Sequence, residues 1–110
     1  GEPSANNVYL LNGDVADRGS GACEIMILIL LFKLWDPDCI HMNRGNHEDP
    51  IMNETYGFRD ECTSKWGPQK GFELFNLFNM LFQHLPLASI VDNQVFVIHG
   101  GLWRRDFKVA

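Results

Sequence analysis

The chain has 110 residues, of which 45% are hydrophobic, and a formal net charge of −5. That composition supports one ordinary globular core and excludes a basic nucleic-acid-binding surface. The longest apolar run, Ile25 to Phe32, is eight residues, far too short to span a bilayer.

The polar opening, Gly1 to Asn7, reads as a linker into a first strand, Val8-Tyr9-Leu10-Leu11, followed by a loop punctuated by Gly13, Gly19 and Gly21. A helix is expected from about Ala22 to Trp35, burying Ile25, Ile29 and Phe32 with Leu28 and Trp35. Asp36-Pro37 ends it, because a residue before proline avoids the helical region. A second strand, Cys39-Ile40-His41-Met42, feeds a second loop. After Pro50 comes a mixed segment with a short helix through Lys65, and Gly67-Pro68 reads as a break. A long helix is expected from about Gly71 to His84, burying Phe72, Phe75, Leu77, Phe78, Leu81 and Phe82. Trp35 and Trp66 are assigned to the core or a groove, and His41 and His84 to structural roles. Leu87 to Val91, a turn at Asp92-Asn93, and Gln94 to Ile98 form a β-hairpin. The order β-α-β-α-β-β argues a layered α/β fold with no second domain visible.

The three well-separated cysteines, Cys23, Cys39 and Cys62, include no Cys-x-x-Cys pair. They argue against a disulfide framework or zinc knuckle and for reduced core thiols in an intracellular compartment, cytoplasmic or nuclear. The start carries no signal-peptide pattern. Gly1 and Ala110 do not read as natural termini, so the chain is expected to be a piece of a longer protein.

Chemistry concentrates where three strands end: Gly13-Asp14-Val15-Ala16-Asp17-Arg18-Gly19, Gly45-Asn46-His47-Glu48 and His99-Gly100-Gly101. Ligands of open α/β sheets bind beyond the carboxyl ends of strands. Asp14 can bridge two cations with its two oxygens. Asp17, three residues on, can turn away from them toward a partner, and Arg18 offers a planar fork for phosphate oxygens. Asn46 supplies a hard neutral oxygen for a metal. His47 supplies an imidazole able to protonate a leaving alkoxide, with Asp17 holding its other nitrogen. His99 completes the candidate metal ligands. Glu48 is expected to brace the loop, and Arg44 to support it ionically.

These motifs, in this order and spacing, resemble the phosphoprotein phosphatases, the metal-dependent serine/threonine phosphatases among the calcineurin-like metallophosphoesterases. The likeness runs from about residue 8 to residue 102. It includes Tyr56-Gly57-Phe58-x-Asp60-Glu61-Cys62 and Leu85-Pro86-Leu87-Ala88-x-Ile90-Val91-Asp92, which look like protein phosphatases rather than nucleotide-directed relatives. Asn43 to Asp49 and Ile90 to Asn93 resemble most the branch with EF-hands, with the branch carrying tetratricopeptide repeats close behind. The resemblance implies a calcineurin-like fold of which this chain, residues 1–110, is a partial catalytic domain holding part of the β-sandwich core. It implies two metal ions (Mn, Fe or Zn), Asp14 as bridging ligand, and Asn46 and His99 as ligands of the second metal. Arg18 would contact phosphate, and His47 with Asp17 would form the proton-donor pair. Phosphoserine and phosphothreonine in phosphoprotein substrates would then be hydrolysed by in-line attack of a hydroxide bridging the metals. Calcium-regulatory or targeting segments would lie outside this chain.

The family's upstream Gly-Asp-x-His-Gly motif, later histidine ligand, second phosphate-binding arginine and downstream tyrosine are not among the 110 residues. Ala16 stands where valine is usual, and the run from Trp103 to Lys108 departs from the usual continuation. This segment by itself is therefore expected to bind metal poorly and to be inactive. The alternatives are a non-catalytic protein of the same fold that serves in binding, or a metallophosphoesterase acting on nucleotides.

Overall fold

The computed structural model describes residues 1–101, so Leu102 and the segment after it, with the run from Trp103 to Lys108, lie outside the described residues. The elements run β1 (Tyr9–Leu11), α1 (Ala22–Trp35), β2 (Ile40–Met42), α2 (Pro50–Thr55), α3 (Phe58–Trp66), α4 (Pro68–Phe82), β3 (Ala88–Val91) and β4 (Val95–Ile98). The first three make a β-α-β unit in which β1 and β2 pair in parallel, Leu11 opposite Met42, as a helical crossover permits. The last two form the expected hairpin, with Ala88 opposite Ile98. Asp92 and Asn93 both take left-handed backbone, φ 52° and 53°. Two consecutive positive φ values define the turn whose twist suits a two-residue hairpin loop.

Helix boundaries follow local chemistry. Asp49 caps α2 by accepting the Ile51 N–H at 3.0 Å, with Pro50 at the first helical position. The expected break falls at Gly67, between α3 and α4, and α4 starts at Pro68 rather than at the expected Gly71. Proline is welcome there, because its missing N–H would have no partner in a first turn. One turn later, α3 and α4 meet so closely that a Cβ on Gly71 would lie 2.4 Å from the Cys62 carbonyl oxygen.

The core lies between α1, α3 and α4. The wholly buried Phe58 ring sits 5.4–6.2 Å from the rings of Phe75, Phe78 and Phe82, within the range of favourable aromatic pairing. Two expected faces need correction. In α4, Phe75, Phe78 and Phe82 are buried, whereas Phe72 and Leu77 are exposed and Asn79 takes a buried place. In α1 the buried stripe is Ala22, Cys23, Met26 and Ile29, whereas Ile25, Leu28 and Trp35 are exposed, Trp35 by 73%. A helix apolar all round has no unique stripe; the partner decides which side is covered. Trp66 is exposed as well, and the exposed His41 ring lies 3.1 Å from the Asp38 carbonyl. His84 falls in the turn after α4, bonded through its N–H to the Leu81 carbonyl. All three cysteines are buried and unpaired by disulfides. Among the described residues no helix is long and apolar enough to cross a membrane.

Candidate functional site

The loops after β1, β2 and β4 converge. The loop after β1 departs sharply from ordinary backbone: Asp14, Asp17 and Arg18 have φ of 58°, 73° and 56°. Left-handed backbone at non-glycine residues costs of order 1 kcal/mol each and persists where surrounding bonds enforce it. Glu48 does the enforcing. Its wholly buried carboxylate accepts N–H bonds from Asp14 (2.7 Å), Val15 (2.8 Å), Ala16 (3.1 Å) and Gly45 (2.8 Å). One side chain thus ties the first loop to the second. Their approach requires glycine at 45, where a Cβ would fall 2.4 Å from Asp14 Oδ1. Glu48 is the expected brace. Arg44 supports it differently from the ionic contact expected: its Nε donates to the Glu48 main-chain carbonyl at 2.9 Å, and its guanidinium pairs with Asp49 at 3.6 Å.

Asp17 turns away from Asp14. Its Oδ2 lies 2.7 Å from His47 Nδ1, and its Oδ1 accepts the Phe58 N–H at 2.9 Å. Both side chains of this pair are almost wholly buried. The second carboxylate oxygen, anchored at the start of α3, fixes the direction from which His47 is held.

Asp14, Asn46 and His99 assemble on the other side. Asp14 Oδ1 accepts the His47 N–H at 3.1 Å and lies 3.3 Å from His99 Nε2, which also lies 3.2 Å from Asn46 Oδ1. His99 Nδ1 contacts the Asn12 carbonyl, which can only accept, so Nδ1 carries a proton. In neutral imidazole, Nε2 then presents a lone pair toward two oxygens. That arrangement suits a metal ion at its centre. The N/O donor set suits a transition metal. Three donors do not complete a coordination shell, and among the described residues no three His, Cys, Asp or Glu side chains close around one point.

Arg18 makes no ion pair among the described residues. Its guanidinium lies over the Tyr56 ring, 5.3 Å from the centroid, and the same ring meets His47 edge-on at 5.3 Å. Beside these loops an open cleft of about 420 Å³ is lined by Arg44, Gly45, Asn46, Leu87, Ile98 and His99, with Gly100 and Gly101. Every sequence-predicted site residue therefore falls in one neighbourhood. Sequence reasoning missed Tyr56, Asn12 and Asn43 as parts of it. An aromatic residue shortly after the second loop was a weak signal for the first, and nothing local marked the two asparagines.

The calcineurin-like phosphoesterase family model matches residues 1–109. Serine/threonine-protein phosphatase T of Schizosaccharomyces pombe is 44% identical over 106 residues, covering 96% of this chain and 22% of that protein. Human serine/threonine-protein phosphatase 5 is 42% identical over 106 residues, 96% of this chain and 20% of that one. A solved protein serine/threonine phosphatase from Saccharomyces cerevisiae, described as similar to human phosphatase PP5, superposes with a TM-score of 0.85 at 43% identity. It covers 93% of this chain and 31% of that chain. The chain thus spans about a fifth of the length of the curated relatives it matches. A family match running nearly end to end, on the same fold and through all three converging loops, places the chain among the calcineurin-like phosphoesterases.

Proposed function

We propose that this segment carries half of the phosphate-handling centre of a protein serine/threonine phosphatase. The observation that carries the reading is the buried Asp17–His47 pair at 2.7 Å, set beside the meeting of Asp14, Asn46 and His99. The relatives' names, serine/threonine-protein phosphatases T and 5, support the substrate class.

Calcineurin-like phosphoesterases are metal-dependent, and Asp14, Asn46 and His99 would hold a metal here, with Mn, Fe or Zn suited to the donor set. When bound, such ions neutralise phosphate charge and make water a stronger nucleophile near neutral pH. The chain's own residues supply the rest. Arg18, which makes no ion pair among the described residues and is steadied by the Tyr56 ring, binds two phosphate oxygens through its fork. Asp17 accepts a hydrogen bond from the His47 Nδ1–H, which leaves the opposite Nε2–H to pass its proton to the serine or threonine alkoxide as the P–O bond breaks. Burial of the pair keeps competing water away from that transfer.

The test is hydrolysis of phosphoserine and phosphothreonine peptides, against a panel of dinucleotides, by the full-length protein carrying this segment with added Mn. Phosphopeptide turnover that falls about a hundredfold or more in His47→Asn supports the reading. Preference for dinucleotides, or an unaffected variant, refutes it. The 110 residues alone, with three donors, should turn over p-nitrophenyl phosphate negligibly.

A further inference from the structure

Among the described residues the four strands form two separate pairs. Asp14 and Asn46 follow β1 and β2, whereas His99 follows β4 of the hairpin. A metal held by all three needs the hairpin docked in one position against the parallel pair. One main-chain bond, the Arg44 N–H to the Pro86 carbonyl at 2.7 Å, ties the second loop to the approach to β3. A second set of polar ties runs through one buried amide. Asn43, wholly buried at the end of β2, donates to Asn12 Oδ1 at 2.9 Å and to the Val97 carbonyl at 3.2 Å. It accepts the Ser89 hydroxyl at 2.6 Å. Both of its amide protons and its oxygen are used. Asn12, just past β1, donates its own amide to the Ile98 carbonyl at 3.3 Å, and its main-chain carbonyl accepts from His99 Nδ1.

We infer that Asn43 and Asn12 are positioning residues for His99. Asn43 clamps all four strand ends together, and Asn12, held by it, presents the carbonyl that fixes the ring and its tautomer. This rests on the proposed role of His99 as a metal ligand. An outer partner that sets the orientation of a ligating histidine typically changes metal affinity 10–100-fold. Cutting the Asn43–Asn12 bond from either end frees Asn12 to tilt, and its carbonyl and the imidazole move with it. Asn12 is exposed, so its truncation leaves the core intact.

The experiment is Mn titration of the metal-free full-length protein by calorimetry, for wild type, Asn43→Leu, Asn12→Ala and His99→Ala, each held well below its own unfolding temperature. The expected result is Mn binding about tenfold weaker in both asparagine variants than in wild type, with His99→Ala weaker still. Asn12→Ala decides the matter if Asn43→Leu fails to fold. Wild-type affinity in Asn12→Ala, or a lowered unfolding temperature as the sole change in Asn43→Leu, overturns the inference while leaving His99 as a ligand. Wild-type affinity in His99→Ala overturns the ligand assignment itself, and this inference with it.

Discussion

Glu48→Gln is nearly isosteric, and the structure fixes what it removes. Oε1 accepts from Val15 and Ala16, and Oε2 from Asp14 and Gly45. Whichever way the new amide turns, its NH2 faces two N–H donors and can accept neither. Two bonds to a charged acceptor are lost, at about 1.5–3 kcal/mol each, or roughly 3–6 kcal/mol together. Removing a buried charge returns part of its desolvation cost, so the net loss should be about 3 kcal/mol. That is a large share of the roughly 5–15 kcal/mol that holds an ordinary domain folded. The loop after β1 should also relax from its left-handed backbone, scattering Asp14 and Asp17 and weakening Mn binding. Urea denaturation of the metal-free protein measures the first effect and Mn titration the second. A variant within 0.5 kcal/mol of wild type, binding Mn normally, would refute the claim that this carboxylate holds the two loops in place.

Asp17→Asn should lower kcat on phosphopeptides about 10²-fold or more while leaving the unfolding temperature nearly unchanged, because the Phe58 N–H can still be accepted; steady-state kinetics beside thermal unfolding separate the two. Burial raises the pKa of all three thiols, helped at Cys23 by the neighbouring Cys62 sulfur and at Cys39 by Asp36. Native protein at pH 8 should therefore leave a thiol reagent such as Ellman's largely unreacted at these positions, and denatured protein should react at all three. Lys65→Met strands the buried Glu61 carboxylate, whose Oε1 would keep only the Cys23 N–H and whose Oε2 has no partner among the described residues. The loss should be about 2 kcal/mol by chemical denaturation, since Lys65 itself is partly solvated. Lys65 also holds the exposed Glu24 carboxyl below its ordinary range. A depressed carboxyl stabilises above its unfolded pKa and loses that contribution as pH falls, so the gap between variant and wild type should narrow below about pH 4.

The three strand-end motifs were legible because their chemistry is local: each candidate ligand sits within a few residues of an apolar run, and the fold brings the strand ends together. Asp17 is expected to turn away from the metal and hold His47, because three residues of a tight loop separate it from Asp14, and its Oδ2 lies 2.7 Å from His47 Nδ1. The hairpin turn was legible for a similar reason, since Asp and Asn tolerate left-handed backbone better than other side chains. The orientation of α1 was not. Its residues are apolar on every side, so the choice between Met26 and Ile25 as core depends on where α3 lies, a fact that no short stretch of sequence contains.

The asparagine clamp was hidden for a deeper reason. Asn12 and Asn43 each read as an ordinary polar residue at a strand end, and nothing local predicts that Asn43 is buried. Only the pairing of β1 with β2, and the docking of the hairpin 46–54 residues further along the chain from Asn43, turns them into a satisfied network. A buried amide with every bond made tolerates little displacement, because a shift that breaks one bond leaves a polar group stranded away from water. Apolar packing is less exacting, since one methyl can slide past another at small cost. The sheet edge thus has a greasy core that sets its thickness and a polar clamp that sets its registration. Registration is what a site divided between two strand pairs depends on: His99 can meet Asp14 and Asn46 only when the hairpin stops in one place.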